Sequence, residues 1–206
     1  MSSSRSPSPD MVIARKGRLR QRYDNEYRLV AGCVPYRAKK DEGNPCRLAG
    51  DPEQVEVLMI STPNRTDMVF PKGGWEDDED VYQAASREAM EEAGVKGIID
   101  RDTLGHWVFK SKSSKSSQSS SSPRGACKGY MFAMEVTEEL ESWPEQATHG
   151  RRWVSPGEAY QLCRYEWMRE ALTALLERLS MIEPVADQSS MYIMMKATSD
   201  SAVALC

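Results

Sequence analysis

Short runs of apolar and β-branched residues alternate with polar segments along the chain, and they predict the strands of one sheet. Residues 28–36 and 55–61 have this composition and are expected to form two buried strands. Residues 104–110 and 129–136 predict two more strands, which we expect to pair antiparallel.

Two further segments predict shorter features. The polar segment 62–72 contains a Pro-Asn pair and predicts a turn. Residues 151–154 predict a short strand. Ser155 followed by Pro156 then predicts the start of a helix, because serine caps helices and proline fits their first turn.

Apolar residues at three- and four-residue spacing predict two longer helices. One is expected over residues 167–180, with an apolar face that covers the core. The other is expected to begin at Asp80 and to end before Gly94, since glycine commonly terminates a helix. Its apolar stripe opens with Val81 and continues one turn later with a pair of alanines.

The last turns of this second helix carry carboxylates where the stripe should be apolar. Glu88 and Glu92 continue the stripe, and Glu91 lies beside them. These like charges repel each other at the negative end of the helix dipole, which disfavours an exposed carboxylate by roughly 0.3–1 kcal/mol. A hard divalent cation such as Mg²⁺ or Mn²⁺ would relieve both effects. A solvated acidic face is the alternative, although solvated charges usually lie opposite the apolar stripe.

Length, charge and cysteine content bound the class of protein. The 206 residues suffice for one domain, expected over residues 18–182. A net charge of −4 and a pI near 5.4 argue against a general nucleic-acid or membrane-surface binder. Five cysteines without a CxxC pair favour free thiols in a reducing compartment. We therefore expect a soluble monomer in the cytoplasm, the nucleus or both, with no nucleic-acid or membrane partner.

Three segments have no core pattern. Residues 1–17 and 183–206 are expected to be disordered or flexible, and the Ser-rich segment 111–124 to be a flexible loop. The basic cluster between Arg15 and Arg22 has three interpretations. It is a nuclear or organellar address, a basic lead-in to the fold, or a segment that reaches a polyanionic substrate.

The glutamate helix carries a motif that resembles the Nudix box. Gly73 is followed after five residues by Glu79, and after seven more by the run REAMEEAGV at 87–95. All polar and glycine positions of the 23-residue signature match, and only Ala89 stands where a bulkier aliphatic residue is usual. The resemblance implies an α/β fold, namely the Nudix-type α/β/α sandwich with a mixed sheet. It also implies a hydrolase that cleaves phosphoanhydride bonds with Mg²⁺ or Mn²⁺.

The resemblance also implies roles for the residues of the motif. Glu88, Glu91 and Glu92 would bind the metal, together with the backbone carbonyl of Lys72. Either Glu88 or Glu92 would deprotonate the attacking water, and the sequence does not separate the base from the ligands.

Arg87 and Glu79 complete the catalytic motif and are expected to support the glutamates. Arg87 is expected to point partly away from them and to form a salt bridge with Glu79. That pair would tie the preceding loop to the helix.

Segments outside the motif resemble the diphosphoinositol polyphosphate phosphohydrolases, especially the plant-type members, which also cleave diadenosine polyphosphates. The matching features are Tyr23, the segment 28–37, the turn at 70–74, residues 95–97 and residues 150–153. This resemblance implies a small-molecule polyphosphate as substrate. The substrate-binding residues implied are Arg28, Arg37, Lys72, Gly73, Gly74, Lys96, Arg151 and Arg152.

Two alternative functions stay open. One is a Nudix hydrolase of a nucleotide sugar, a dinucleotide coenzyme or an RNA cap, which would use an aromatic pair to sandwich a base. Trp75 and Trp107 are the candidates for that pair. The other is a non-catalytic Nudix module that binds a polyphosphate, against which the intact glutamates argue. His149, beside two arginines, is a further candidate for a phosphate contact.

Overall fold

The computed structural model describes residues 14–15, 17, 19–39, 54–110 and 125–181. The Ser-rich loop, the C-terminal tail and nearly all of the N-terminal segment expected to be disordered lie outside these residues. Those expectations therefore stay predictions.

The described residues form eight strands and three helices. In chain order they are β1 (Tyr23–Asp24), β2 (Tyr27–Ala38), β3 (Val55–Ser61), β4 (Met68–Val69), β5 (Lys72–Gly74), α1 (Val81–Ala93), β6 (Val95–Lys110), β7 (Ala126–Glu139), β8 (Arg151–Val154), α2 (Pro156–Leu162) and α3 (Glu166–Met181). A search of these helices finds none with the length and apolar character that a membrane span requires.

The strands form one mixed sheet with the central order β4-β3-β2-β7-β6. Strands β1 and β5 pair with β2, and β8 pairs with β3. Only the β2–β7 pair is parallel among the described pairs. The predicted mixed sheet is confirmed, and so is the antiparallel pairing of the two strands now labelled β6 and β7.

Helices α1 and α3 lie on opposite faces of this sheet. Phe132 of β7 contacts Tyr82 of α1, with ring centroids 5.1 Å apart. Trp107 of β6 contacts Trp167 of α3 at 5.9 Å, and its cross-strand partner is Gly129. Because Gly129 and Phe132 are an odd number of residues apart in one strand, they face opposite sides. The layers are therefore helix, sheet and helix, as the α/β/α prediction requires.

The C-terminal helix has the expected role of covering the core. It spans Glu166–Met181, one residue beyond the prediction at each end. Its buried face consists of Trp167, Met168, Ala171, Leu172, Leu175 and Leu179. The helix predicted at Ser155 is also present, and the hydroxyl of Ser155 accepts from the N–H of Glu158 at 3.2 Å.

The main errors of prediction concern strand length. β6 begins at Val95, nine residues before the predicted strand, because its first half lies at the sheet edge, where exposed residues such as Lys96 and Ile98 alternate with partly buried ones. β7 also extends past the predicted 129–136 at both ends. The predicted turn at 62–72 contains β4, and Asn64 there has a φ of 60°, which fits a turn.

The described cysteines agree with the expectation of thiols. Cys33, Cys127 and Cys163 are buried and form no disulfide with one another. Cys46 and Cys206 lie outside the described residues.

Candidate active site

Helix α1 is fixed at both of its ends. At the start, the side chain of Asp80 accepts from the N–H of Gln83 at 2.7 Å, and the Gln83 side chain accepts from the N–H of Asp80 at 2.8 Å. At the end, Gly94 adopts a left-handed φ of 62°, and its N–H donates to the carbonyl of Met90 at 3.1 Å. The predicted helix from Asp80 to Gly94 is confirmed.

Two of the glutamates pack against the glycine strand β5. The carboxylate of Glu88 lies so close to Gly73 that a Cβ there would be 2.1 Å from its Oε2, so any side chain at this position would displace the carboxylate. The carboxylate of Glu92 accepts from the backbone N–H of Lys72 at 2.8 Å. These contacts place the carboxylates of Glu88 and Glu92, which are one helical turn apart, beside strand β5.

Arg87 neutralises several of the carboxylates at once. Its Nε and Nη2 donate to Glu79 at 2.9 and 2.7 Å, which is the predicted salt bridge. Its Nη1 also donates to Glu88 at 2.7 Å and to Glu91 at 3.4 Å. The expectation that Arg87 points away from the glutamates is therefore wrong, since its guanidinium lies between Glu79 and the helix.

Burial sets the protonation of the glutamates. Glu88 and Glu91 are only 8% and 3% exposed. Burial raises the pKa of Glu88, and the charge of Glu92 raises it further. Burial also raises the pKa of Glu92 and of Glu91, against the influence of Lys72 and Arg87 respectively. A hard divalent cation would offset the cost of ionising these buried carboxyls, because it favours their charged form.

The segment between β7 and β8 adds a second group of candidate ligands. One side-chain donor atom from each of Glu92, Glu145 and His149 lies within 4.8 Å of the others. His149 Nδ1 is 3.1 Å from Glu145 Oε2. Burial lowers the pKa of His149, and Glu145 opposes that change. The sequence offered no sign of Glu145, because it lies more than 50 residues from α1 in a segment without periodicity.

Among the predicted substrate-binding cations, Arg28 and Lys72 lie beside β5. The Nε of Arg28 donates to the Gln21 side chain at 2.6 Å, and its Nη2 would be 2.7 Å from a Cβ on Gly74. The charge of Lys72 acts on Glu92. Within the described part of the chain, neither cation forms an ion pair with a carboxylate. Both charges are therefore available to an anionic ligand.

Three other predicted cations are paired away from the glutamates. Arg37 contacts Glu56 at 2.9 Å and Glu139 at 2.7 Å. Lys96 pairs with Glu138 at 3.2 Å, and Arg152 pairs with Glu158 at 2.8 Å. The structure does not bring Arg37, Lys96 and Arg152 together with Arg28 and Lys72. The remaining predicted cation, Arg151, contacts the end of α1.

The basic N-terminal cluster contacts the acidic loop before α1. Arg15 Nη1 is 2.6 Å from Glu76 and 3.0 Å from Asp78, and Arg20 also pairs with Asp78. Arg22 donates to the carbonyl of Glu76 at 2.8 Å. Of the three interpretations of this cluster, these contacts favour a basic lead-in to the fold.

Fold and site together define a class of protein: an α/β/α sandwich whose buried glutamates lie on one helix beside a glycine strand. A family model described as NUDIX domain matches residues 46–175. The chain is 60% identical over 165 residues to Nudix hydrolase 13, mitochondrial, of Arabidopsis thaliana, which covers 80% of this chain and 81% of that protein. The chain therefore belongs to the Nudix hydrolase family, whose members generally use a divalent metal.

Other relatives and structures agree with this assignment. Nudix hydrolase 12, mitochondrial, of Arabidopsis thaliana is 58% identical and covers 81% of each chain. Diphosphoinositol polyphosphate phosphohydrolase 3-alpha of Mus musculus is 32% identical and covers 63% of this chain and 65% of that protein. The fold matches a NUDIX hydrolase from Nitrosomonas europaea, with a TM-score of 0.52, 15% identity and coverage of 76% and 92%. It also matches the C. elegans Ap4A hydrolase, with a TM-score of 0.51, 20% identity and coverage of 73% and 97%.

The expected location in the cytoplasm or nucleus is contradicted by the relatives. Nudix hydrolases 13, 12 and 16 of Arabidopsis thaliana are all named mitochondrial, and this points to mitochondria. The expectation rested on charge and on cysteines that suit a reducing compartment. Those properties do not distinguish one reducing compartment from another.

Proposed function

We propose that the protein is a Mg²⁺- or Mn²⁺-dependent hydrolase of phosphoanhydride bonds in diphosphoinositol polyphosphates, diadenosine polyphosphates or both. The observation that carries this proposal is the set of buried glutamates on α1 packed against β5. The mouse relative, named a diphosphoinositol polyphosphate phosphohydrolase, supports the substrate class.

The glutamates would hold the divalent cation. Glu88, Glu91 and Glu92 supply carboxylate oxygens, and the Lys72 carbonyl and Glu145 are the further candidate ligands. When bound, such an ion neutralises charge on the phosphate oxygens and lowers the pKa of a bound water.

The protein's own groups would hold and move the proton of the attacking water. Glu88 is held by Arg87, and Glu92 is held by the N–H of Lys72. Burial raises the pKa of both carboxyls, so the one that does not bind the cation would be suited to accept a proton near neutral pH. Either of them is the candidate general base.

The positions of the cations support an anionic substrate over β5. Arg28 and Lys72 flank the two glycines there, and backbone can approach a ligand closely at glycine. A phosphate chain would lie between these cations and the glutamates.

Trp75 and Trp107 do not form the aromatic pair that could sandwich a base. Trp75 contacts Tyr130, which lies on the α1 face of the sheet together with Phe132. Trp107 contacts Trp167 on the α3 face. Two tryptophans on opposite faces do not enclose one base, so these residues give no support to the nucleotide-sugar, coenzyme and cap alternatives.

A substrate panel tests the proposal. Purified protein is incubated with diphosphoinositol polyphosphates, diadenosine polyphosphates, nucleotide sugars, dinucleotide coenzymes and capped RNA, with Mg²⁺, Mn²⁺ or a chelator. We expect hydrolysis of one or both of the first two classes, its loss on chelation, and a fall in kcat of about 10²–10⁴-fold in Glu92→Gln. Activity that survives both the substitution and chelation would contradict the mechanism.

The same assay separates the alternatives. Preferred turnover of a nucleotide sugar or coenzyme would favour the other Nudix chemistry, and tight binding without turnover would favour a non-catalytic module. Arg28→Ala should raise the KM about 10-fold, since its charge is unpaired, whereas Lys96→Ala should change the KM little. Equal effects of the two substitutions would contradict the placement of the substrate over β5.

A further inference from the structure

Carbonyls in the last turn of α1 accept hydrogen bonds from the segment between β7 and β8. A helix leaves its last four carbonyls without partners inside the helix. Here the carbonyl of Glu91 accepts from the N–H of Glu145 at 3.1 Å. The carbonyl of Glu92 accepts from the indole Nε1 of Trp143 at 3.2 Å. Glu91 and Glu145, which are both candidate metal ligands, are therefore also joined by a backbone hydrogen bond.

Arg151 supplies donors to the remaining carbonyls. Its Nη1 donates to Ala93 at 3.1 Å and to Gly94 at 2.8 Å. Its Nη2 donates to the carbonyl of Leu140 at 2.8 Å. The guanidinium lies 4.4 Å from the ring centroid of Trp143, and the side chain is 18% exposed. A positive charge at this end of a helix is favoured by the helix dipole.

The packing around this contact leaves no space for adjustment. A Cβ on Gly94 would lie 2.7 Å from the ring of Trp143 and 2.8 Å from Nη1 of Arg151. In addition, the N–H of Leu140 donates to the carbonyl of Gly94 at 2.8 Å. The end of the helix and the segment 140–151 therefore hold each other in one arrangement.

We propose that Arg151 and Trp143 are positioning residues that hold the last turn of α1, with Glu92, against the segment that carries Glu145 and His149. The inference rests on the proposed function, because it takes Glu92 and Glu145 as metal ligands. It also assigns Arg151 a role other than the substrate binding expected from the sequence, since both of its Nη atoms donate to protein carbonyls.

The test compares Arg151→Ala and Arg151→Lys with Arg178→Ala. Arg178 is the control, because its guanidinium also joins a helix end to another segment by donating to a backbone carbonyl, that of Thr103 at 2.9 Å, but it belongs to α3 and contacts no candidate site residue. Mn²⁺ binding is measured by calorimetry without substrate, and kcat and KM are measured with the best substrate of the panel.

In Arg151→Ala we expect Mn²⁺ affinity and kcat to fall about 10-fold or more, as for other residues that orient metal ligands, with an unchanged substrate KM. Arg151→Lys should recover part of both, because lysine still donates to the carbonyls. Arg178→Ala should leave both unchanged. A raised KM with unchanged Mn²⁺ affinity in Arg151→Ala would overturn the inference and return Arg151 to the substrate site.

Two further measurements keep the inference separate from the proposed function and from misfolding. Amide hydrogen exchange should become faster at the last turn of α1 in Arg151→Ala and not in Arg178→Ala, whatever the substrate; equal exchange in both would overturn the inference. Absence of turnover by the wild-type protein would count against the proposed function alone. If Arg151→Ala does not fold, Trp143→Phe removes the indole donor and keeps a smaller aromatic ring, and unchanged Mn²⁺ affinity in that variant would overturn the inference.

Discussion

The two sides of the candidate site differ in what fixes their side chains. On one side, Glu88 and Glu92 are one turn apart on a single capped helix, and the glycine strand β5 lies against them. On the other side, Glu145 and His149 lie in a segment without regular structure that is attached to the helix end through tertiary hydrogen bonds. Local spacing therefore determines the first group, whereas only the assembled fold determines the second.

The two groups also differ in burial and in neutralisation. On the helix side, the buried Glu79, Glu88 and Glu91 share the single guanidinium of Arg87. The side chains of Glu145 and His149 are 30% and 16% exposed, and they contact each other. Because a buried charge depends on its partner more than an exposed one does, the helix side should be the less tolerant of substitution.

Arg87→Gln should have the largest effect on stability. It would leave the buried Glu88 without its cation and Glu79 with only Arg15, at 3.8 Å, and breaking a buried pair in this way costs about 3–5 kcal/mol. The free energy of unfolding is measured by urea denaturation. Arg152→Gln is the control, since it breaks an exposed pair with Glu158 that is worth about 0–1 kcal/mol. Equal losses in the two variants would show that the helix side is not specially dependent on Arg87.

The same contrast explains how far the sequence predicts this protein. The three helices and the Arg87–Glu79 salt bridge follow from periodicity, capping residues and motif spacing, which are local, whereas the mixed sheet was implied by the family resemblance. The length of β6 does not, because an edge strand with exposed polar residues lacks a strong apolar pattern. Glu145 does not either, since its position depends on contacts with residues more than 50 positions away.

Glu145→Gln should have the next largest effect, on metal affinity. If Glu145 binds the metal together with Glu92, the substitution should weaken Mn²⁺ binding about 10–100-fold and leave the fold intact. Calorimetric titration with Mn²⁺ measures the change, and Glu141→Gln on the same segment, which is exposed, is the control. Equal metal affinity in the two variants would show that Glu145 is not a metal ligand and that the ligands lie on the helix side.

The smallest effect should be on the pH dependence of stability, and it tests the helix side without any substrate. Burial raises the pKa of Glu88, so the metal-free folded state binds this proton more tightly than the unfolded chain does. That contribution to stability is fully present below the ordinary glutamate pKa of about 4.3 and is lost as the pH rises through the raised pKa of the folded state. In chelator, the melting temperature of the wild-type protein should therefore fall relative to that of Glu88→Gln as the pH rises. Excess Mg²⁺ should reduce or reverse this difference, because a bound cation favours the charged carboxylate. A difference that is independent of pH in chelator would mean that Glu88 is already ionised in the folded protein, with Arg87 alone sufficient to neutralise it.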